Sequence, residues 1–286
     1  MTQMIRIKKD RRKIIFNHFF LRHQRSILLS YFLFPISYFS CSQNACTIKN
    51  DVFQVGEEMT YKAYYNWGFL WLEAGEATLK VNSGEYAGKK VFHLTGIGGS
   101  YPKYDWIYRV RDRFEAHIDT ASLLPYHFLR DVNEGSRILY EEDLFNYRNK
   151  KIYSLVNKRK LAIKADTINL PDCIHDVLSA IYYTRCIDFS KYKENEIIPF
   201  TLFLENEISP IYIRYQGKAV FESKETGRVN CIKIKPKLLE GTIFKDGENM
   251  TVYLSDDKNK LPVFIEADIV IGSMKVYLIG TKNLKN

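Results

Sequence analysis

Three tryptophans and three arginines are the residues whose types and spacing can do chemistry. Trp67, Trp71 and Trp106 are all the tryptophans of the chain and lie within 40 residues of one another. Tyr64, Tyr65, Tyr101, Tyr104 and Tyr108 accompany them. Arg109, Arg111 and Arg113 follow at every second position, the spacing that puts side chains on one face of a strand. Two readings follow. In the first, the rings pack a core and the arginines pair with Asp105, Asp131 or Glu134 on a wet face; emptying Trp67 or Trp106 then costs about 3–5 kcal/mol. In the second, the rings supply area for an apolar or amphipathic ligand and the guanidinium groups orient its acidic headgroup. The carboxylates Asp105, Asp112, Asp131 and Glu134 share this stretch, and a hydrolase of envelope polymers would draw on them. Carboxylates neutralised by arginine make poor general acids, which favours binding over catalysis.

Other catalytic signatures are missing. The chain has no G-x-S-x-G elbow, no H-E-x-x-H zinc helix and no P-loop. Gly96-Ile97-Gly98-Gly99-Ser100 runs into Pro102 instead of a helix, so it reads as a flexible loop and not a phosphate cradle. His93, His117, His127 and His175 show no short-range ligand spacing, and no C-x-x-C occurs, so neither metal nor cofactor is expected.

The elements that must position these residues are strands. Tyr108, Val110, Phe114, Ala116 and Ile118 occupy one phase of a two-residue period, with Asp112 as the exception. Arg109, Arg111, Arg113, Glu115 and His117 occupy the other. Similar strands are expected near 60–66, 75–82, 90–97, 123–131, 137–145, 151–156, 197–204, 210–216, 218–224, 229–236, 250–255, 261–267 and 270–279. Turn signals such as Asn133-Glu134-Gly135 and Asp256-Asp257-Lys258-Asn259 separate many of them. The expectation is an all-β antiparallel meander, sandwich or barrel. One helix is predicted over about 172–186, capped by Asp172, with Ile174, Val177, Leu178, Ile181 and Tyr182 on its apolar stripe. Segment 157–172 has the weakest period and is a candidate divider of two sheet halves.

Charge and cysteines bear on compartment. Residues 1–42 carry eight of the 42 Lys and Arg and one of the 33 Asp and Glu, leaving 34 against 32 for the rest. The net +9 belongs largely to that stretch, which removes the main support for nucleic-acid binding. Basic residues up to Arg25, the 13-residue apolar run Ile27–Phe39 and small Ser40 and Ser42 read as a secretory signal cleaved near Gln43. The apolar run is too short to span a bilayer. The expected organisation is a leader over 1–42 and a single domain over 43–286, in the periplasm or associated with the outer membrane. Lipidation of Cys41 is the lesser alternative. An outer-membrane barrel is disfavoured by the terminal Lys282-Asn283-Leu284-Lys285-Asn286 and by charge on both strand phases. In an oxidising compartment Cys46 pairing with Cys173 is the preferred disulfide, anchoring the start of the chain; four unpaired thiols are the alternative.

Several stretches resemble the DUF3108 family of exported bacterial proteins, especially members from Bacteroides-like bacteria. They are Val55–Tyr61, Tyr64–Trp71, Ala74-Gly75-Glu76, Tyr104-Asp105-Trp106, Arg111-Asp112-Arg113, Arg130–Gly135, Asp176–Ala180 with Tyr182-Tyr183, and Glu240–Phe244. The resemblance covers roughly residues 50–286. It implies an all-β half-barrel of YmcC type and carries no catalytic residues. The expected function is a non-enzymatic binding or envelope-assembly protein whose curved sheet takes an apolar or amphipathic ligand, with other envelope components as partners.

Overall fold

Period-two alternation becomes fifteen strands in one sheet. The structure, a computed structural model, describes residues 48–159, 161–237, 247–269 and 272–286. The leader with Cys41, Cys46 and the 240–244 stretch lie outside these residues. The strands are β1 (Glu58–Trp67), β2 (Leu70–Tyr86), β3 (Lys89–Ser100), β4 (Val110–Asp119), β5 (Pro125–Glu134), β6 (Arg137–Asn146), β7 (Lys151–Lys158) and β8 (Lys164–Asn169). They continue with β9 (Ile174–His175), β10 (Ile197–Leu204), β11 (Glu207–Ser223), β12 (Gly227–Pro236), β13 (Met250–Ser255), β14 (Pro262–Asp268) and β15 (Ser273–Lys282). Among the described residues two α-helices interrupt them, α1 (Asp105–Tyr108) and α2 (Val177–Cys186).

The sheet runs from β8 back to β1 and then from β15 back to β9. Among the described residues only the pairing of β9 with β10 is parallel. The strand order is that of a ring opened at a single seam, between β8 and β9. The antiparallel meander expected from sequence is therefore present, as a barrel left open.

On β4 the inner phase is Phe114, Ala116 and Ile118, which pack with Leu94 of β3 and with Leu178 and Tyr182 of α2. The helix thus lies on the inner face of the curved sheet, and its apolar stripe fills the concavity. Met59, Tyr61, Phe128, Phe145, Ile152 and Phe203 complete that core.

Three local expectations change. The helix begins at Val177, not near 172, because Asp176 is the cap. Its carboxylate accepts from the Leu178 and Ser179 N–H groups, and Ser179 Oγ accepts from the Asp176 N–H. Cys173 upstream has φ of +56° and sits in a disulfide, while Ile174 and His175 pair with β10. Cys186 and Cys231 are free and buried. The glycine run 96–100 is the end of β3 and not a loop. Glycines are required where these backbones crowd: a Cβ on Gly75 of β2 would lie 2.1 Å from the Gly99 carbonyl oxygen. Finally, 210–216 and 218–224 belong to one strand, β11, whose register shifts between Tyr215 and Lys218 around Gly217 at φ +82°.

At the end of the barrel where α2 finishes, Arg185 is wholly buried. Its guanidinium donates to Glu57 Oε1 at 2.6 Å and Oε2 at 3.0 Å, and to the Asn259 carbonyl at 3.0 and 3.3 Å. Glu57 is equally sealed. Removing one partner leaves a bare charge in the core, so Arg185→Ala or Glu57→Ala is expected to lower unfolding free energy by about 3–5 kcal/mol. Urea denaturation measures it. Arg185→Met combined with Glu57→Leu should cost less than either single change.

Candidate functional site

Strands β1, β3, β5 and β7 run in one direction, so the connections that follow them all emerge at one end of the barrel. The β1–β2 tip carries Trp67, Phe69 and Trp71 there, with Gly68 at φ +59° making the turn. The β3–β4 connection, which contains α1, carries Trp106, Ile107 and Tyr108. Trp67 is 59% exposed, Trp71 46%, Trp106 82%, and Phe69 wholly exposed. Ile107, Tyr108, and Leu161 and Ile163 after β7 are exposed as well. The packed-core reading of the tryptophans is therefore overturned: Trp67 and Trp71 sit on the last pairings of the β1–β2 hairpin, beyond the reach of β15 and β3, Trp106 sits in the β3–β4 connection, and all three are exposed. Trp71 stacks on Tyr64 at 5.7 Å, with the Lys275 ammonium 5.3 Å from its ring centroid.

The three arginines do not converge. Arg111 forms a knot with Asp105 (2.8 Å) and with the Ser100 carbonyl and hydroxyl (3.0 and 3.1 Å), and Ser100 Oγ donates to Asp105 at 2.8 Å. Hydrogen bonding from Ser100, then Arg111, holds the Asp105 carboxyl below the usual range. That knot fixes the loop bearing Trp106, so Arg111 positions the rim. Arg113 pairs with Glu115 on the outer face. Arg109 is exposed, and its carbonyl accepts from the Gly135 N–H at 2.8 Å. Gly135 has φ +58°, and a Cβ there would strike the Tyr108 ring at 2.6 Å, so this β5–β6 turn seats the rim only as glycine.

Beneath the rim a chain of charges lines the inner face of β4 to β7. Asp112 accepts from the Asn133 N–H at 3.0 Å and is raised to about 7, by burial and then by the neighbouring Glu134. Arg137 bridges Glu134 (3.0 Å) and Glu205 (2.8 Å). Glu205 also takes Arg130 at 2.7 Å and Lys158 at 2.6 Å, and its own N–H donates to Glu141. Burial pushes the Glu205 carboxyl up, but these cations outweigh it and the net direction is down. Arg130 continues to Glu141 at 2.9 Å. Next along β6, Asp143 accepts from Ser154 Oγ and is raised to about 8 by burial and by Glu141. Asp176, the buried cap of α2, is raised to about 6 by burial. Asp143 Oδ2, Asp176 Oδ2 and Arg130 Nε have no protein hydrogen-bond partner, which suits interior water.

Of the four carboxylates singled out for hydrolysis, the structure brings Asp112 and Glu134 together. Asp105 is tied to Arg111, and Asp131 is exposed. Sequence reasoning missed Glu141, Asp143, Ser154 and Glu205. A signal existed for two of them, because Glu141 and Asp143 fall in the phase of Leu139 and Phe145 on β6. None existed for Glu205: its turn has φ of +51° and +69° at Glu205 and Asn206, where hairpins favour Asn-Gly. Among the described residues no group of three or more His, Cys, Asp and Glu is placed to hold a metal ion.

A carboxyl whose folded pKa exceeds its unfolded value binds its proton more tightly when folded, so its contribution to stability is lost as pH rises through the folded pKa. The Asp143 contribution should therefore decline between about pH 4 and pH 8. Asp143→Asn, which keeps the acceptor for Ser154, should flatten that decline in thermal melts.

Among solved structures, the chain is similar to the crystal structure of a β-barrel-like protein of domain of unknown function DUF1849 from Brucella abortus. The TM-score is 0.54 over 81% of this chain and 98% of that one, at 11% identity, a likeness of fold alone. No curated protein matches the sequence. The DUF3108 family model, for a protein of unknown function, matches residues 60–279, and the chain accordingly belongs to the DUF3108 family.

Proposed function

We propose that this is a non-enzymatic, exported envelope protein that engages an amphipathic partner, a lipid surface, through its aromatic rim. The observation that carries the reading is the exposure of Phe69 and Trp106 at the same end of the barrel. Large exposed apolar clusters mark interaction surfaces in soluble proteins. Trp and Tyr, with an apolar body and a polar edge, suit the boundary between acyl chains and headgroups. Cations accompany them: Lys103 lies over the rings of Tyr101 (5.6 Å) and Tyr104 (4.9 Å), and Arg109 follows Tyr108. Anionic headgroups complement that pairing. The reading places the binding surface at the rim and not on the concave face of the sheet, because α2 and its core occupy that face.

The expected result is co-sedimentation of the protein with phosphatidylglycerol vesicles, weaker with phosphatidylcholine. Phe69→Ala with Trp106→Ala should cut binding at least tenfold, since each ring contributes roughly 1.5–3 kcal/mol when buried. Melting temperature should hardly change, because neither ring is packed. Vesicle binding that the double variant leaves intact overturns the proposal.

A second reading is favoured by one observation, the Asp112–Glu134 pair in the barrel mouth. A carboxyl raised to about 7 beside a second one is poised for acid–base work on envelope polymers. Soluble fragments released from purified envelope polymer, and lost in Asp112→Asn, would move the assignment to a hydrolase; no release leaves the binding reading in place.

A further inference from the structure

Three histidines that sequence spacing keeps apart become neighbours on the outer face of β3, β4 and β5. His93 pairs across the strands with His117, and His117 with His127. The rings of His93 and His117 stack at 4.4 Å, within 2° of parallel. His117 Nδ1 and His127 Nδ1 face each other at 3.3 Å. Each flanking ring is held from behind by a carboxylate, His93 Nε2 by Glu115 at 3.1 Å and His127 Nε2 by Glu142 at 3.0 Å. Glu142 is itself fixed by the Tyr140 hydroxyl at 2.9 Å, and Tyr86 stacks on His127 at 5.8 Å.

From this geometry we propose that His117 and His127 form a two-histidine site for zinc, bound through both Nδ1 atoms with water completing the tetrahedron. Zn–N bonds of about 2.0–2.1 Å at the tetrahedral angle put two ligand nitrogens about 3.3–3.4 Å apart, matching the observed separation. A square-planar ion with similar bonds needs adjacent nitrogens near about 2.9 Å, so the observed 3.3 Å is nearer the tetrahedral value. The second requirement is tautomer. An ionised Glu142 only accepts, so His127 Nε2 carries the hydrogen, and in the neutral ring Nδ1 then presents a lone pair, the carboxylate–histidine arrangement that supports metal ligands. In the free protein His117 Nδ1–H then donates to His127 Nδ1. Zinc binding moves that proton to His117 Nε2, a tautomer shift with no change of charge on the ring. With two protein ligands, two coordination positions stay open.

The test titrates the full-length chain with Zn2+ by calorimetry and with Co2+ by visible absorption. One saturable Zn2+ per chain and an intense tetrahedral Co2+ band are expected. His127→Phe and His117→Phe keep a ring for stacking but remove the nitrogen; each should weaken Zn2+ binding at least tenfold with the fold intact by circular dichroism. Glu142→Gln should weaken it about tenfold or more, as loss of such a carboxylate partner does; if His117→Phe fails to fold, His127→Phe and Glu142→Gln carry the test. Absence of saturable binding, a weak octahedral Co2+ spectrum, or affinity unchanged in His127→Phe overturns the site. The last result would place the ion elsewhere.

Discussion

The ion pair between Arg185 and Glu57 is the constraint around which this barrel is organised. Two charges sealed from water must satisfy each other, and the Arg185 donors left over must find carbonyls nearby. That condition brings three distant pieces of chain to one point: the end of α2, the residue before β1, and Asn259 in the β13–β14 connection. Asn259 in turn exchanges hydrogen bonds with the backbone of Asn286, which ties in the final residue. The rings of Phe53 and Tyr182 lie 5.7 and 5.3 Å from the guanidinium carbon and keep the pair dry. With the helix and the central strands tied together at this end, the opposite end carries the exposed hairpin tip and connection that bear Phe69 and Trp106.

An open barrel must deal with its two unpaired edges. Strand β9 has only two residues, which leaves little edge to pair. Strand β8 carries Lys164 and Asp166 at the register positions facing inward, opposite Val156 and Ser154 of β7, and inward charge discourages a further strand. The seam is bridged instead of closed. The β10–β11 turn reaches from one side, and Glu205 gathers Arg130, Arg137 and Lys158 from the other. The chain of charges beneath the rim is thus also the clasp that joins the two halves of the sheet, so its carboxylates are held for architecture whatever else they do.

Several features were legible in the residue order because they are local. The two-residue period located β4 and nearly every other strand, and its interruption between 157 and 172 fell on the short edge strand and the seam. The helix was legible from its three–four spacing, though its start was not. Asp172 and Asp176 are equally good caps by type, and only the Ser179 hydroxyl returning to the Asp176 N–H selects the second. Glu141 and Asp143 went unremarked, although they fall in the phase of Leu139 and Phe145 on β6.

What the residue order determined by itself is which side chains share a face, since alternation follows from backbone geometry alone. It could not determine what stands opposite that face, because that depends on pieces brought together from far apart in the chain. Trp67 and Trp106 have the composition of a core, yet one ends β1 at the tip of its hairpin and the other sits in the β3–β4 connection, and both stay in solvent. His93, His117 and His127 are spaced 24 and 10 residues apart, and only strand register makes their rings neighbours. Glu205 lies 75 residues from Arg130 and meets it because a turn crosses the seam. Tertiary structure decided these relations because desolvation and ion pairing depend on distance in space.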